Sequence, residues 1–423
     1  MRPVLRLFER LRGTRPEPAP SPREGPLDLL DPAFVRDPYP AYARLREADP
    51  VHRTKSGGFL LTRHADIVAA LAHPALGNAP SRHAVVHARN RDRHVSASVA
   101  ANILPFLDKP EHVLPRRLIA SAFRAHLKAN PLDAGAIARD LLAPRLRAGT
   151  MDAIADFGKP LSVEAIARFM GLPAANREEL TRWSDFFFYL FAPMPSADAL
   201  RRTDEALAAF RAYFAQLVAA RRKAPGNDLV SRLIAEEEDG RRLSGEELVD
   251  TCLLIYSDGV ENVDAAIANT LLALHRHPDE MRRLRTSPDL VPGAVQEALR
   301  YDSPAQVIAR VAREDIVLDG RAVRRDQAVF LALGAANRDP AVFADPERFD
   351  IGRDASALLT FGKGRHSCIG APLVRLQVEA ALRVLIGTTA ASEVDTERLV
   401  WTARAGHRWL EALPVRLTPA AAG

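Results

Sequence analysis

Apolar residues recur at helical spacing along most of the chain and gather into strand-like runs at only a few places. The pattern predicts helices over residues 41–48, 66–72, 115–123, 133–146, 163–170, 177–190, 197–222, 229–237, 245–275, 292–301 and 371–386. Strand character is confined to Phe59-Leu60-Leu61-Thr62 and to two later candidates, 315–318 and 328–333. The longest helical pattern opens on Ser244-Gly245-Glu246-Glu247. That order reads as a capping box, in which a serine hydroxyl and a glutamate three residues on satisfy each other's backbone N–H. A mainly α fold with small β-sheets is expected.

Composition adds boundaries. The chain has 423 residues, 47% of them hydrophobic, which is ample for a large core. Residues 1–26 are basic and proline-rich and are expected to form a disordered tail. Their apolar stretch is too short for a secretory signal, and nothing in the chain approaches the ~20 apolar residues of a membrane span. A net charge of +5, evenly spread, gives no reason to expect nucleic acid. No zinc spacing, phosphate loop, dinucleotide fingerprint or internal repeat stands out. Only two cysteines occur, Cys252 and Cys368. They make no disulfide framework, which fits a reducing, cytoplasmic setting.

The candidate chemistry centres on Phe361-Gly362-Lys363-Gly364-Arg365-His366-Ser367-Cys368-Ile369-Gly370. Glycines at 362, 364 and 370 are expected to allow positive φ and a close approach of backbone to a flat ligand. Backbone N–H groups in such a loop can tune a metal-bound sulfur. The segment resembles the haem-binding signature of cytochromes P450, with each signature position filled. The resemblance runs from about Leu27 to Val415. It implies the P450 fold, with residues 27–423 as a single catalytic domain and haem b between the central long helix and the cysteine loop. Cys368 would be the iron ligand, with Phe361, Gly362, His366 and Gly370 around the haem. Thiolate ligation pushes electron density onto iron and favours O–O cleavage. His112 and Arg116, four apart, match the family's His-x-x-x-Arg, and with Arg310 and His366 they would hold the haem propionates. Glu297 and Arg300, at i and i+3, match a buried structural pair whose third partner is expected to be Arg348.

The central helix carries Ser257-Asp258-Gly259-Val260-Glu261-Asn262 where the family has Ala/Gly-Gly-x-Asp/Glu-Thr. Gly259 and Glu261 match, so Glu261 is the expected proton relay. Asn262 replaces the threonine that handles oxygen, and Asp258 replaces a small residue. An amide donates hydrogen bonds but is not a hydroxyl relay. Substrate hydroxyl or ordered water would then supply the missing link, or the reaction is an atypical coupling or ring formation; ordinary hydroxylation with water held by Asn262 is the simpler reading. An unpaired carboxylate near the distal face is expensive. Asp258 either meets a cationic or hydroxylated substrate or turns back into the protein.

The run from Trp183 to Phe191 corresponds in the family to the lid over the substrate channel. Phe187, Phe191 and Trp409 are the pocket candidates. Lys363, Arg365, Arg117 and Arg375 would present a basic face to an acidic ferredoxin. With no fused flavin or iron–sulfur module, electrons must come from a separate ferredoxin and ferredoxin reductase, unless peroxide replaces them. The expected protein is a cytoplasmic monomer of the bacterial type that hydroxylates a small organic molecule in specialised metabolism. Two rivals stand beside that reading: a coupling or ring-forming oxidase, possibly acting on a carrier-tethered substrate, and a noncatalytic P450-like partner.

Overall fold

The computed structural model describes residues 25–192, 196–397 and 399–420. Apart from Gly25 and Pro26, the expected tail lies outside the described residues, as does the Pro193-Met194-Pro195 segment of the lid stretch.

The central helix forms because its ends are satisfied. Ser244 N–H donates to Glu247 Oε2 at 2.8 Å and Glu247 N–H to Ser244 Oγ at 3.1 Å, the reciprocal capping box. From there the helix runs over Gly245–Arg276, 32 residues, about 48 Å at 1.5 Å per residue. His275 and Arg276 end it with side chains suited to its negative terminus. The other expected helices fall where the periodicity placed them, with ends moved by a few residues. The helix expected over 177–190 stops at Phe187 and tightens into a 3₁₀ turn, Phe188–Phe191. Helices Pro32–Arg36, Val95–Ala100 and Pro278–Thr286 had no periodic signal long enough to mark them. No helix among the described residues is long and apolar enough to cross a membrane.

Ten strands are present among the described residues: β1 (Val51–Arg53), β2 (Phe59–Leu61), β3 (Leu76–Gly77), β4 (Thr150–Asp152), β5 (Val307–Ala312), β6 (Ile316–Leu318), β7 (Arg321–Val323), β8 (Ala328–Ala332), β9 (Thr389–Val394) and β10 (Pro414–Pro419). Only β2, β6 and β8 were legible in advance. The chain divides into two compact units, each assembled from separate stretches.

The first unit comprises residues up to 81, 269–368 and 396–411. Its five-stranded sheet has the order β1-β2-β8-β5-β3, with β2 and β8 parallel and the other pairs antiparallel. Val51, Leu61, Ile67, Leu76, Val329 and Leu331 belong to the cluster that anchors it. Register sets Arg310 on β5 opposite Val329 on β8. Strands β6 and β7 form a hairpin closed by Asp319-Gly320, both with positive φ, the type I′ solution for a two-residue turn.

The second unit comprises residues 82–268, 369–395 and those from 412 on. It holds the helices Val113–Ala129, Ala134–Ala148, Lys159–Met170, Arg177–Phe187, Ala197–Lys223 and Ala371–Thr388, most of the central helix, and the antiparallel sheet β4-β10-β9. Gly259 is here a packing residue. A Cβ at that position would stand 2.7 Å from Ile166 Cδ1, so only glycine lets the two helices approach this closely.

Candidate active site

Cys368 sits exposed at the end of a tightly bent loop. Gly362 (φ +65°) and Gly364 (φ +78°) adopt the left-handed backbone expected of them. Gly370 does not: its φ is −77°, and it opens the helix Ala371–Thr388, with Val374 N–H bonded to its carbonyl at 3.0 Å. The Cys368 N–H donates to Phe361 O at 2.8 Å, and Ser367 N–H to Gly364 O at 3.1 Å, so the loop folds back on itself around the sulfur. A helix start three residues after a cysteine favours the thiolate.

The loop is braced from within its own unit. Glu297 and Arg300 are fully buried and joined by two hydrogen bonds, 2.7 and 2.9 Å. Arg300 also donates to Asn337 O at 2.8 Å and Pro346 O at 3.0 Å. Asn337 passes the constraint on: its Oδ1 accepts Leu359 N–H at 2.6 Å and its Nδ2 donates to Thr360 Oγ1 at 2.9 Å. Thr360 in turn donates to Leu299 O at 2.7 Å. The next residue is Phe361, whose carbonyl holds Cys368. The expected third partner is corrected here. The Arg348 side chain is 67% exposed and no closer than 4.0 Å to Asp350. Arg353 takes its place, 13% exposed, with Nε 3.1 Å from Glu297 Oε1. Sequence reading stopped at the nearer arginine. Neither Asn337 nor Thr360 carried any signal.

The residues expected at the propionates lie in separate elements. His112 is buried and precedes the helix Val113–Ala129, and Arg116 follows one turn later with its N–H on His112 O at 3.1 Å. Arg310 is buried on β5, and His366 ends the 3₁₀ turn Gly364–His366. Among the described residues, no group of three or more His, Cys, Asp or Glu side chains could share a metal ion. Cys368 offers a metal a single thiolate; a haem, which brings its own nitrogen donors, fits such a site, and the buried Arg310 guanidinium suits a carboxylate.

The comparisons with known proteins agree. The family model for cytochrome P450 matches residues 174–388. The biotin biosynthesis cytochrome P450 of Bacillus subtilis is 32% identical over 387 residues, covering 90% of this chain and 96% of that protein. The chain belongs to the cytochrome P450 family. The cytochrome P450 monooxygenase PikC of Streptomyces venezuelae is 34% identical, covering 96% and 97%. Among solved structures, P450BioI in complex with an acyl carrier protein ligated to hexadec-9Z-enoic acid superposes with TM-score 0.84 at 32% identity, covering 91% of this chain and 99% of that one. CalO2 superposes with TM-score 0.85 at 34% identity, covering 93% and 99%. This P450 is accordingly a haem-iron monooxygenase that depends on redox partners.

The oxygen-handling stretch of the P450 has distinctive electrostatics. Glu261 is buried, and its Oε1 lies 3.7 Å from Lys159 Nζ, which is also 3.2 Å from the half-exposed Asp185. Burial pulls the Lys159 pKa down, but the Glu261 and Asp185 carboxylates outweigh it and hold the ammonium above its ordinary range. Asp264, three residues beyond Glu261, is pushed well up by burial and then by the Glu261 charge. Lys159 and Asp185 come from two other helices, and sequence offered no pointer to them. Asn262 Oδ1 is buried with no hydrogen-bond partner. Asp258 is exposed, yet the protein around it removes enough hydration to raise its pKa to about 7.

Of the three expected pocket residues, only Phe191 keeps substantial exposure, 38%, and it stacks on Phe106 at 4.8 Å. Phe187 is fully buried, its ring packed edge-on against Phe188 and Phe191, which makes it core rather than pocket wall. Trp409 is 8% exposed, packed beside His407 at 4.5 Å and under Arg404 at 4.8 Å. The His407 pKa is pushed down to about 4 by burial and by Arg404.

Two measurements check this site. Removing one member of a buried ion pair costs about 3–5 kcal/mol. Arg300→Met should therefore cost that much in thermal unfolding and weaken the thiolate band of the reduced CO complex. Arg353→Met should lose about 1–3 kcal/mol, and Arg348→Ala should stay within about 0.5 kcal/mol of the parent. An Arg348 effect as large as that of Arg300 would reverse the correction. For Asp258, the folded-state pKa exceeds the ordinary 3.8, so the folded protein binds the proton more tightly. The resulting penalty is absent below the lower value and grows as pH rises towards 7. Asp258→Asn should raise the melting temperature more at pH 8 than at pH 5; an equal gain would show a carboxylate hydrated like a surface group.

Proposed function

We propose that this P450 uses electrons from a separate ferredoxin and ferredoxin reductase to hydroxylate a small organic molecule of specialised metabolism, acting in the cytoplasm as a monomer. The observation that carries the reading is the accessible Cys368 thiol in a loop fixed through Asn337 and Thr360 to the buried Glu297–Arg300 pair. Such bracing is what a metal ligand would need, because it holds the sulfur in one position. The cofactor is read as haem b. Thioether attachment would need further cysteines, and the other cysteine, Cys252, is buried in the central helix. His112, Arg116, Arg310 and His366 are assigned to the propionates on the family pattern. Residues 27–423 are read as one catalytic domain, since relatives match along 90% or more of the chain.

When bound, the haem supplies dioxygen activation; the chain supplies position and protons. Glu261 is held by an ion-pair chain that runs in from the surface, Asp185, 54% exposed, to Lys159 at 3.2 Å and Lys159 to Glu261 Oε1 at 3.7 Å. Asn262 relays a proton less well than a threonine, since its amide holds water but does not exchange a hydroxyl proton. Lys363, exposed within the cysteine loop, supports docking of an acidic donor. Arg117 adds less, because Glu238 already pairs with it.

A second reading has its own support. The unpartnered Asn262 Oδ1 favours a coupling or ring-forming oxidase, and the carrier-bound P450BioI structure supports a substrate delivered on a carrier protein. A noncatalytic role has the intact cysteine loop against it.

Cys368→Ala is expected to abolish the thiolate band of the reduced CO complex and all turnover; normal oxidation by that variant would defeat the assignment. Asn262→Thr should change the fraction of reducing equivalents that reaches product rather than peroxide. Unchanged rates and peroxide leakage would show that the position plays no part in proton delivery.

A further inference from the structure

The carboxylates along the central helix divide into satisfied and unsatisfied. Glu247 closes the capping box. Asp250 takes two hydrogen bonds from Arg211, 2.6 and 2.5 Å, and one from Asn102 at 2.7 Å. Glu261 faces Lys159, and Asp264 accepts the Ala265 N–H at 2.6 Å. Glu246 is exposed at the helix start. Asp258, in mid-helix, is also exposed, and among the described residues nothing donates to it and no cation lies against it. One helical turn on, Asn262 Oδ1 is buried and also without a partner. Residues at i and i+4 share a helix face, with Cβ atoms about 5–6 Å apart. Two acceptors, one of them anionic, are therefore stacked on one stripe of the helix, and among the described residues none donates to either.

A buried acceptor such as Asn262 Oδ1 is rarely left unmade, because that costs about 1–3 kcal/mol, and the exposed Asp258 carboxylate one turn away is open to a ligand. The complement of this stripe is a group that carries both positive charge and a hydrogen-bond donor. We infer that Asp258, seconded by Asn262, is a specificity site for a protonated amine on the substrate. The ammonium N–H meets the Asp258 carboxylate, and a second donor on or beside the nitrogen meets Asn262 Oδ1. Two hydrogen bonds of about 2.8–2.9 Å from one nitrogen span the turn-to-turn spacing. A neutral polyol would satisfy the acceptors but leave the carboxylate charge unbalanced. The inference rests on the reading that this helix face borders the substrate, and it makes Asp258 a binding residue that supplies no proton to oxygen.

The test is calorimetric titration of the ferric holoenzyme with N,N-dimethyldodecylammonium, which offers one N–H and does not ligate iron, and with 1-dodecanol as its neutral counterpart. Dodecylammonium, with three N–H groups, is added to engage Asn262. A charge-assisted hydrogen bond in such a site corresponds to roughly tenfold or more in affinity. The dimethyl ammonium should bind at least that much more tightly than the alcohol. Asp258→Asn should erase the difference while leaving the alcohol within about twofold. Asn262→Leu should weaken dodecylammonium by a few-fold and leave the dimethyl compound unchanged. Equal affinity for ammonium and alcohol, binding of neither, or a preference that survives Asp258→Asn overturns the inference. The reduced CO spectrum of each sample separates the two levels: an intact thiolate band with equal affinities overturns amine recognition alone, and a missing band overturns the haem-thiolate reading together with it.

Discussion

The buried ion pair between Glu297 and Arg300 is the constraint on which the cysteine loop depends. Two charges taken fully out of water are stable only if nearly all their hydrogen-bonding capacity is used. Here the guanidinium fork serves Glu297, Asn337 O and Pro346 O, while Glu297 also receives Arg353 and the Asp350 N–H. Because these partners come from two stretches beyond the helix, at Asn337 and over residues 346–353, satisfying the pair fixes both stretches against the helix. The Asn337 side chain then reaches Leu359 and Thr360, at the entry to the loop. The pair adds little net stability compared with an apolar alternative. What it contributes is a single permitted geometry for the backbone that presents the thiol.

The central helix shows the same physics with a different outcome. Most of its carboxylates were given partners inside the protein, by Arg211 and Asn102 for Asp250 and by Lys159 for Glu261. Asp258 was not, and its acidity is weakened accordingly. Gly259 beside it is required by the approach of Ile166, which brings that neighbouring helix close and leaves Asp258 and Asn262 on their own stripe. An acid and an amide stand here where the family pattern has a small residue and a threonine. Relatives at 32–34% identity belong to biotin biosynthesis and to a monooxygenase, so divergence among substrates within one haem-thiolate scaffold is the ordinary state of this family, and function is decided at the site.

Helices were legible in the sequence because their cues are local. A capping box, 3.6-residue periodicity and proline or glycine punctuation act within a few residues. The short strands were mostly illegible. Strands β3 and β4 have two and three residues, and they exist through partners far along the chain, so no local pattern announces them. Within the site, Cys368 and its loop were readable because the chemistry of a thiolate ligand needs several special residues side by side. The ion pair Glu297–Arg300 was readable for the same reason, at i and i+3.

Arg353 in place of Arg348 could not be read that way. Both arginines follow the pair in sequence, and only the folded backbone decides which one turns inward. Lys159 and Asp185 joined Glu261 from distant segments, and Phe187 proved to be packed core although its neighbours in sequence look alike. The amino-acid sequence by itself determined the helical class, the cysteine loop and the unusual residues at 258 and 262, since each is a matter of residue type at short range. Tertiary structure alone decided which charges are paired within the protein, because pairing depends on distances between segments that sequence order does not encode.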